Sequence, residues 1–278
     1  MRFFAKIIFM KIGIFDSGLG GLSILKALRK GLPSYDYLYL GDNLHVPYGN
    51  RPCKEIIFWA RKIIPFFIKK NCALVIFACN TVTAVALPTI QKEFGKKIKI
   101  LGIIRPTSEF LADHHFRKVG FIGTTNTIKA NIFYNDFKKV FPQKELIFCQ
   151  KDCPGLVERI EKGDFKSQGF KKILSASLTP LKKEKVDILV LGCTHYNLIA
   201  RQIEALMPGV RIITQGEIVA EKLRDYFKRH GDLEKKLSRG RSLKLYFTKK
   251  DSLYPSLVRF FLGKSQNPSL KLAKINFE

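Results

Sequence analysis

The chain has 278 residues, 46% hydrophobic and 26% charged, a mix that suits a globular protein with a real core in one large or two small domains. No apolar run of about 18 residues occurs, so no transmembrane helix is expected. Lys+Arg 49 against Asp+Glu 23 leaves a net charge of +26, which favours polyanions. The basic residues nevertheless come as scattered pairs such as Lys69-Lys70 and Lys182-Lys183, and no nucleic-acid motif appears, so nucleic-acid contact is a secondary reading.

Met1 to Met10 is apolar with Arg2 and Lys6 inside it and lacks a cleavage signal. It reads as a ragged start, with Met1 or Met10 as the first residue, before a strand from Lys11 to Phe15. That strand ends at Asp16-Ser17-Gly18-Leu19-Gly20-Gly21, and a helix follows with Leu22, Leu25 and Leu28 on one face. Further strands are expected at Tyr37–Leu40, Ala73–Ala78, Ile98–Ile103, Lys118–Ile122, Leu146–Cys149, Asp187–Leu191 and Val210–Ile213. The tail from Leu243 supplies a last strand and helix. Strands that alternate with helical patterns, and that are apolar throughout, predict an α/β fold with largely parallel sheets covered on both faces.

The order repeats. Lys11-Ile12-Gly13-Ile14-Phe15 matches Lys118-Val119-Gly120-Phe121-Ile122, and each leads into a small polar loop. Each unit later carries an apolar strand ending in a thiol, Phe77-Ala78-Cys79-Asn80-Thr81 and Leu191-Gly192-Cys193-Thr194-His195. Ligands of α/β sheets bind beyond the carboxyl ends of strands, where all four turns lie. If the units face each other, one pocket has a thiol on each wall. That suits inversion of a carbon centre, which needs a base on one face and an acid on the other. A thiol is a reversible proton carrier with an ordinary pKa of about 8.5. Asp16 and His195 are candidates to assist the transfers, while hydroxyls, the Asn80 amide and loop N–H groups suit an amino acid's carboxylates.

The remaining thiols, Cys53, Cys72, Cys149 and Cys153, read as small buried hydrophobes in a reducing cytoplasm. No CxxC pair exists and no ligand set has zinc spacing, so neither a metal nor a cofactor is expected. Taken alone, Asp16-Ser17-Gly18 also reads as a helix cap, His195 as a structural imidazole and Pro47-Tyr48-Gly49 as an ordinary turn.

Taken together, Asp16 to Gly21, Pro47-Tyr48-Gly49, Cys79-Asn80-Thr81, Gly123-Thr124 with Thr127, and Gly192-Cys193-Thr194-His195-Tyr196 resemble the ordered motif set of bacterial glutamate racemases, from about Lys11 to Phe261. The resemblance implies a cofactor-independent, two-thiol enzyme of the cytoplasm, a homodimer, that makes D-glutamate for peptidoglycan and so for cell shape. It implies two pseudosymmetric α/β domains, residues 1–101 plus 211–278 and residues 102–210, with the site between them. Cys79 resembles the base acting on D-glutamate and Cys193 the base acting on L-glutamate. Asp16 is similar to the carboxylate beside the first thiol and His195 to the imidazole beside the second. Ser17, Asn80, Thr81, Thr124, Thr127, Thr194 and the groups around Pro47, Tyr48 and Gly49 match substrate-binding positions. Glu161 matches a glutamate near the substrate amine.

Departures occur at Arg105, at Asn43 and His45, and at Thr214-Gln215, where an Asp-Ser pair is common in the resembled family. Two other readings stand beside this one: a related isomerase acting on aspartate, a hydantoin or another small diacid, and a basic, non-catalytic nucleic-acid-associated protein. The first is separated by a substrate panel. The second predicts salt-dependent binding with no need for either thiol.

Overall fold

The computed structural model describes residues 9–263 and 270–277; most of the apolar start, residues 1–8, lies outside them. Among these residues ten strands form two sheets. They are β1 (Lys11–Asp16), β2 (Tyr37–Gly41), β3 (Cys72–Phe77), β4 (Lys99–Gly102), β5 (Lys118–Gly123), β6 (Ile147–Asp152), β7 (Ile188–Gly192), β8 (Arg211–Ile213), β9 (Leu243–Phe247) and β10 (Leu270–Leu272). The first sheet has the order β10-β9-β2-β1-β3-β4 and the second β6-β5-β7-β8. Every pairing within both is parallel.

The repeat seen in the sequence is therefore a repeat of topology. Four consecutive strands take the order second-first-third-fourth in each sheet, with β9 and β10 added to the edge of the first. The direction of winding reverses beside the first strand of each set. The crevice between β1 and β3, and that between β5 and β7, are the points where such sheets hold ligands.

Alternation along the strands explains their continuous apolar runs. Ile12 and Ile14 of β1 face Leu22, Leu25 and Leu28 of the helix Leu22–Gly31. Phe15, with Val75 and Phe77 of β3, faces Ile56, Ile63 and Phe67 of the helix Cys53–Lys69. Gly13 is where that second helix comes closest, since a Cβ there would lie 2.6 Å from Phe67 Cδ1. In the second sheet, Leu189 and Leu191 pack under the helix Gln168–Lys183, while Val119, Phe121 and Val190 pack against Phe133 and Phe137.

One helix belongs to both units. Gln215–Arg229 sends Ile218 into the core of the second sheet and Val219, Leu223 and Phe227 into that of the first. It lies against the helix Leu22–Gly31 and against Ile104–Ala112, which follows β4 into the second unit. The sequence reading returns the chain to the first unit at residue 211. By strand pairing, β8 lies in the second sheet, beside β7. Its short, half-exposed sequence carries no mark of which sheet it joins.

Candidate active site

Four turns meet between the sheets, after β1, β3, β5 and β7. Cys79 ends the segment after β3 and precedes the short helix Asn80–Val85. Cys193 does the same after β7, before a single 3₁₀ segment, Thr194–Ile199. The two thiols are 6% and 5% exposed and border one small cavity of about 10 Å³. Its walls also hold Ser17, Tyr48, Gly49, Asn80, Thr81, Thr124, Val157, Thr194 and His195. Thr127 stands behind Thr81 and Thr124, and the three hydroxyls form a closed triangle with sides of 2.8, 2.9 and 3.3 Å. Tyr48 is pinned by its hydroxyl, which donates to Asp42 over 2.5 Å. Pro47 lies next to this wall but does not border the cavity.

The two thiols have different neighbours. Cys79 Sγ lies 3.5 Å from Ser17 Oγ. Burial, and the nearby Asp16 carboxylate, push its thiol up to about 12. Cys193 Sγ lies 3.8 Å from His195 Nδ1. The other imidazole nitrogen, Nε2, is 2.5 Å from Glu161 Oε1. Burial opposes a charge on His195, yet its contacts with Cys193 and Glu161 hold its pKa well above the usual imidazole value. Burial likewise opposes the Glu161 charge, and His195, with the Leu19 N–H and the Tyr254 hydroxyl, holds that carboxyl below its usual range. A buried imidazolium–carboxylate pair therefore stands behind Cys193 and not behind Cys79.

Asp16 does not touch Cys79. Fully buried behind the cavity, it accepts from the Gly18 N–H over 3.0 Å and from Thr194 Oγ1 over 3.1 Å. It thus ties the β1 turn to the β7 turn, and burial raises its carboxyl pKa. Glu161 is set back from the cavity, where it receives His195 Nε2, Leu19 N (3.0 Å) and Tyr254 Oη (2.8 Å). Leu19 and Tyr254 belong to the first unit, and Glu161 and His195 to the second. Gly20 makes the approach possible, since a Cβ there would lie 2.7 Å from His195 Nδ1.

Three residues of this network escape a reading of the sequence. Tyr254 stands in an ordinary closing helix, Asp42 in a loop without a motif, and Gln215 shows only as a departure. Tyr254 and Gln215 work through partners 93 and 135 positions away, and Asp42 accepts from Thr248, 206 positions away, besides Tyr48 and His45 of its own loop. Of the other departures, Arg105 spends its guanidinium on Asp136 in a bidentate pair, and His45 holds Asp42 at 2.7 Å. Among the described residues no cluster of three or more metal-ligating side chains occurs, and no helix is long and apolar enough to cross a membrane.

Known proteins are similar to this chain in sequence and in fold. Residues 22–223 match the family described as Asp/Glu/hydantoin racemase. The glutamate racemase of Aquifex aeolicus is 36% identical over 262 residues, which are 94% of this chain and 97% of its own. The crystal structure of a glutamate racemase isoform from Bacillus anthracis superposes with a TM-score of 0.85 at 27% identity, covering 95% of this chain and 97% of that one. That of the Francisella tularensis glutamate racemase, in complex with D-glutamate, superposes with a TM-score of 0.84 at 27% identity and the same coverage.

Proposed function

The chain belongs to the Asp/Glu/hydantoin racemase family, and we propose that it interconverts L- and D-glutamate by proton transfer between two thiols, without a cofactor. The observation that carries this is the pair Cys79 and Cys193, at equivalent strand ends of two like-wound sheets and on one buried cavity. From L-glutamate, Cys193 as thiolate takes the α-proton, and Cys79 as thiol gives its proton to the opposite face of the carbanion. Cys193 ends protonated and Cys79 ionised, and D-glutamate retraces the path.

The surroundings support this division. The high pKa of Cys79 keeps it a proton donor, while Cys193 has a positive imidazole beside it. Ser17 and the backbone N–H groups at Tyr48 and Gly49 offer donors to the two carboxylates, while the Thr194 hydroxyl donates to Asp16 and those of Thr81, Thr124 and Thr127 hold one another to shape the wall. Glu161 acts through His195, holding it charged and oriented, rather than on the substrate amine. Asp16 acts on Cys79 through its field and on Thr194 by a hydrogen bond. The enzyme is a cytoplasmic homodimer of two α/β domains, and its product serves peptidoglycan synthesis.

Proton NMR of L-glutamate in D₂O with the purified protein tests the reading. Loss of the α-proton signal together with loss of optical rotation is the expected result. Cys79→Ala and Cys193→Ala each reduce racemisation by at least about a thousandfold, as loss of a positioned acid or base does. A folded wild-type protein that leaves the glutamate α-proton in place, but exchanges that of aspartate or another diacid, moves the substrate within the family.

A further inference from the structure

A buried chain of polar contacts leads from the segment joining the two units to the cavity wall. It starts at the Ile103 carbonyl, just before the helix Ile104–Ala112, and a carbonyl only accepts. Thr107 Oγ1 donates its single proton to that carbonyl over 3.1 Å. The hydroxyl therefore meets Gln215 as an acceptor, and Gln215 Nε2 donates to it over 2.9 Å and to Ile103 O over 3.4 Å. This fixes the Gln215 amide, so that Oε1 points the other way, where it accepts from Asn80 Nδ2 at 2.6 Å. Asn80 is fixed in turn. Its donor group is held by Gln215, and its Oδ1 is buried with no donor among the described residues.

All three side chains are at most 2% exposed, and Asn80, next to Cys79, borders the cavity. An acceptor-only oxygen there repels a carboxylate and suits a cation that donates protons. The α-ammonium of an amino acid is that group. We propose that Gln215 is a positioning residue, which sets Asn80 so that Oδ1 receives the substrate's α-ammonium. This rests on the reading of the cavity as an amino-acid racemase site. It also gives the Thr214-Gln215 departure a task, because a short serine side chain at position 215 lacks the length to span from Thr107 to Asn80.

The test compares a substrate that carries the ammonium with a dicarboxylate that lacks it. Gln215→Met keeps the length and removes the hold on Asn80. We expect the KM for L-glutamate to rise about tenfold, the scale of one hydrogen bond to a charged group. We expect kcat to stay within about threefold, since the contact is made equally before and during proton transfer. The inhibition constant of glutarate, which has both carboxylates and no amine, should stay within about twofold by the same logic. Parallel weakening of glutarate and glutamate, or no change in KM, overturns the proposal.

Should Gln215→Met fail to fold, Thr107→Val carries the same test. It removes the anchor of the chain and leaves Gln215 present, with an expected rise in glutamate KM of about threefold and none for glutarate. A folded wild-type protein that does not racemise glutamate overturns the parent reading instead, which separates the two failures.

Discussion

Glu161 receives three donors, and its pairing with His195 makes stability depend on pH in a defined sense. Its folded pKa lies below the ordinary 4.5, so its contribution is present above that pH and is lost as pH falls through the folded value. His195 titrates well above its ordinary 6.5, so its contribution is complete below 6.5 and is lost as pH rises through the folded value. The two overlap fully between pH 4.5 and 6.5. Glu161→Gln, which leaves a buried imidazole without its counter-charge, should cost about 3 kcal/mol in that window. Calorimetric melting of wild type and variant across pH checks this. The gap in Tm should close on the acid side and at strongly alkaline pH, and a gap of constant size is incompatible with the pair. The sequence marked Cys79, Cys193, Asp16 and His195 because each stands at a strand end beside small polar residues. It did not mark Tyr254, which reaches Glu161 from 93 positions away and stands in an ordinary apolar helix.

At the scale of elements, the turn after β1 is a loop packed against another loop. Gly20 sits where the β1 turn meets Thr194 and His195, so Gly20→Ala should drive the His195 ring from Cys193. We expect a loss of at least about tenfold in kcat, of the size that misplacing a catalytic group by a fraction of an ångström produces. The Tm should fall by only a few degrees, since overpacking at one site costs about 1–3 kcal/mol. Steady-state kinetics beside thermal melting separates the effects, and unchanged kcat would show that the turn yields. The principal strands were legible because each is a short apolar run bounded by turn residues. The membership of β8 was not, because three residues pair with whichever edge the fold brings near them. Nor was the double duty of the helix Gln215–Arg229, whose apolar positions serve two cores from adjoining faces.

At the scale of the molecule, contacts across the two units close the cavity: Leu19 and Tyr254 to Glu161, Asp16 to Thr194, Thr81 to Thr124, and Gly49 to Asn126. Alkylation read by mass spectrometry tests the closure. Cys53 is exposed, whereas Cys79 is buried and has its thiol pushed up to about 12. Iodoacetamide should therefore label Cys53 at least about tenfold faster, since the thiolate is the nucleophile. D-Glutamate should slow labelling of Cys79 and Cys193 while Cys53 is unaffected. Equal rates at Cys53 and Cys79 would mean that the cavity stands open in solution.

By itself the sequence determined the features that near neighbours dictate: apolar strands, the turns that end them, the twofold order of the units and the thiol at the same point of each. These are legible because side-chain periodicity and turn chemistry act over a few residues. Only the tertiary structure decided which groups meet. It paired His195 with Glu161 and Tyr254, turned Asp16 towards Thr194, and joined Ile103, Thr107, Gln215 and Asn80 into one directed chain. Such contacts form between residues far apart in the chain, and burial is what gives them strength: away from water a donor must find an acceptor, and the fold alone supplies it.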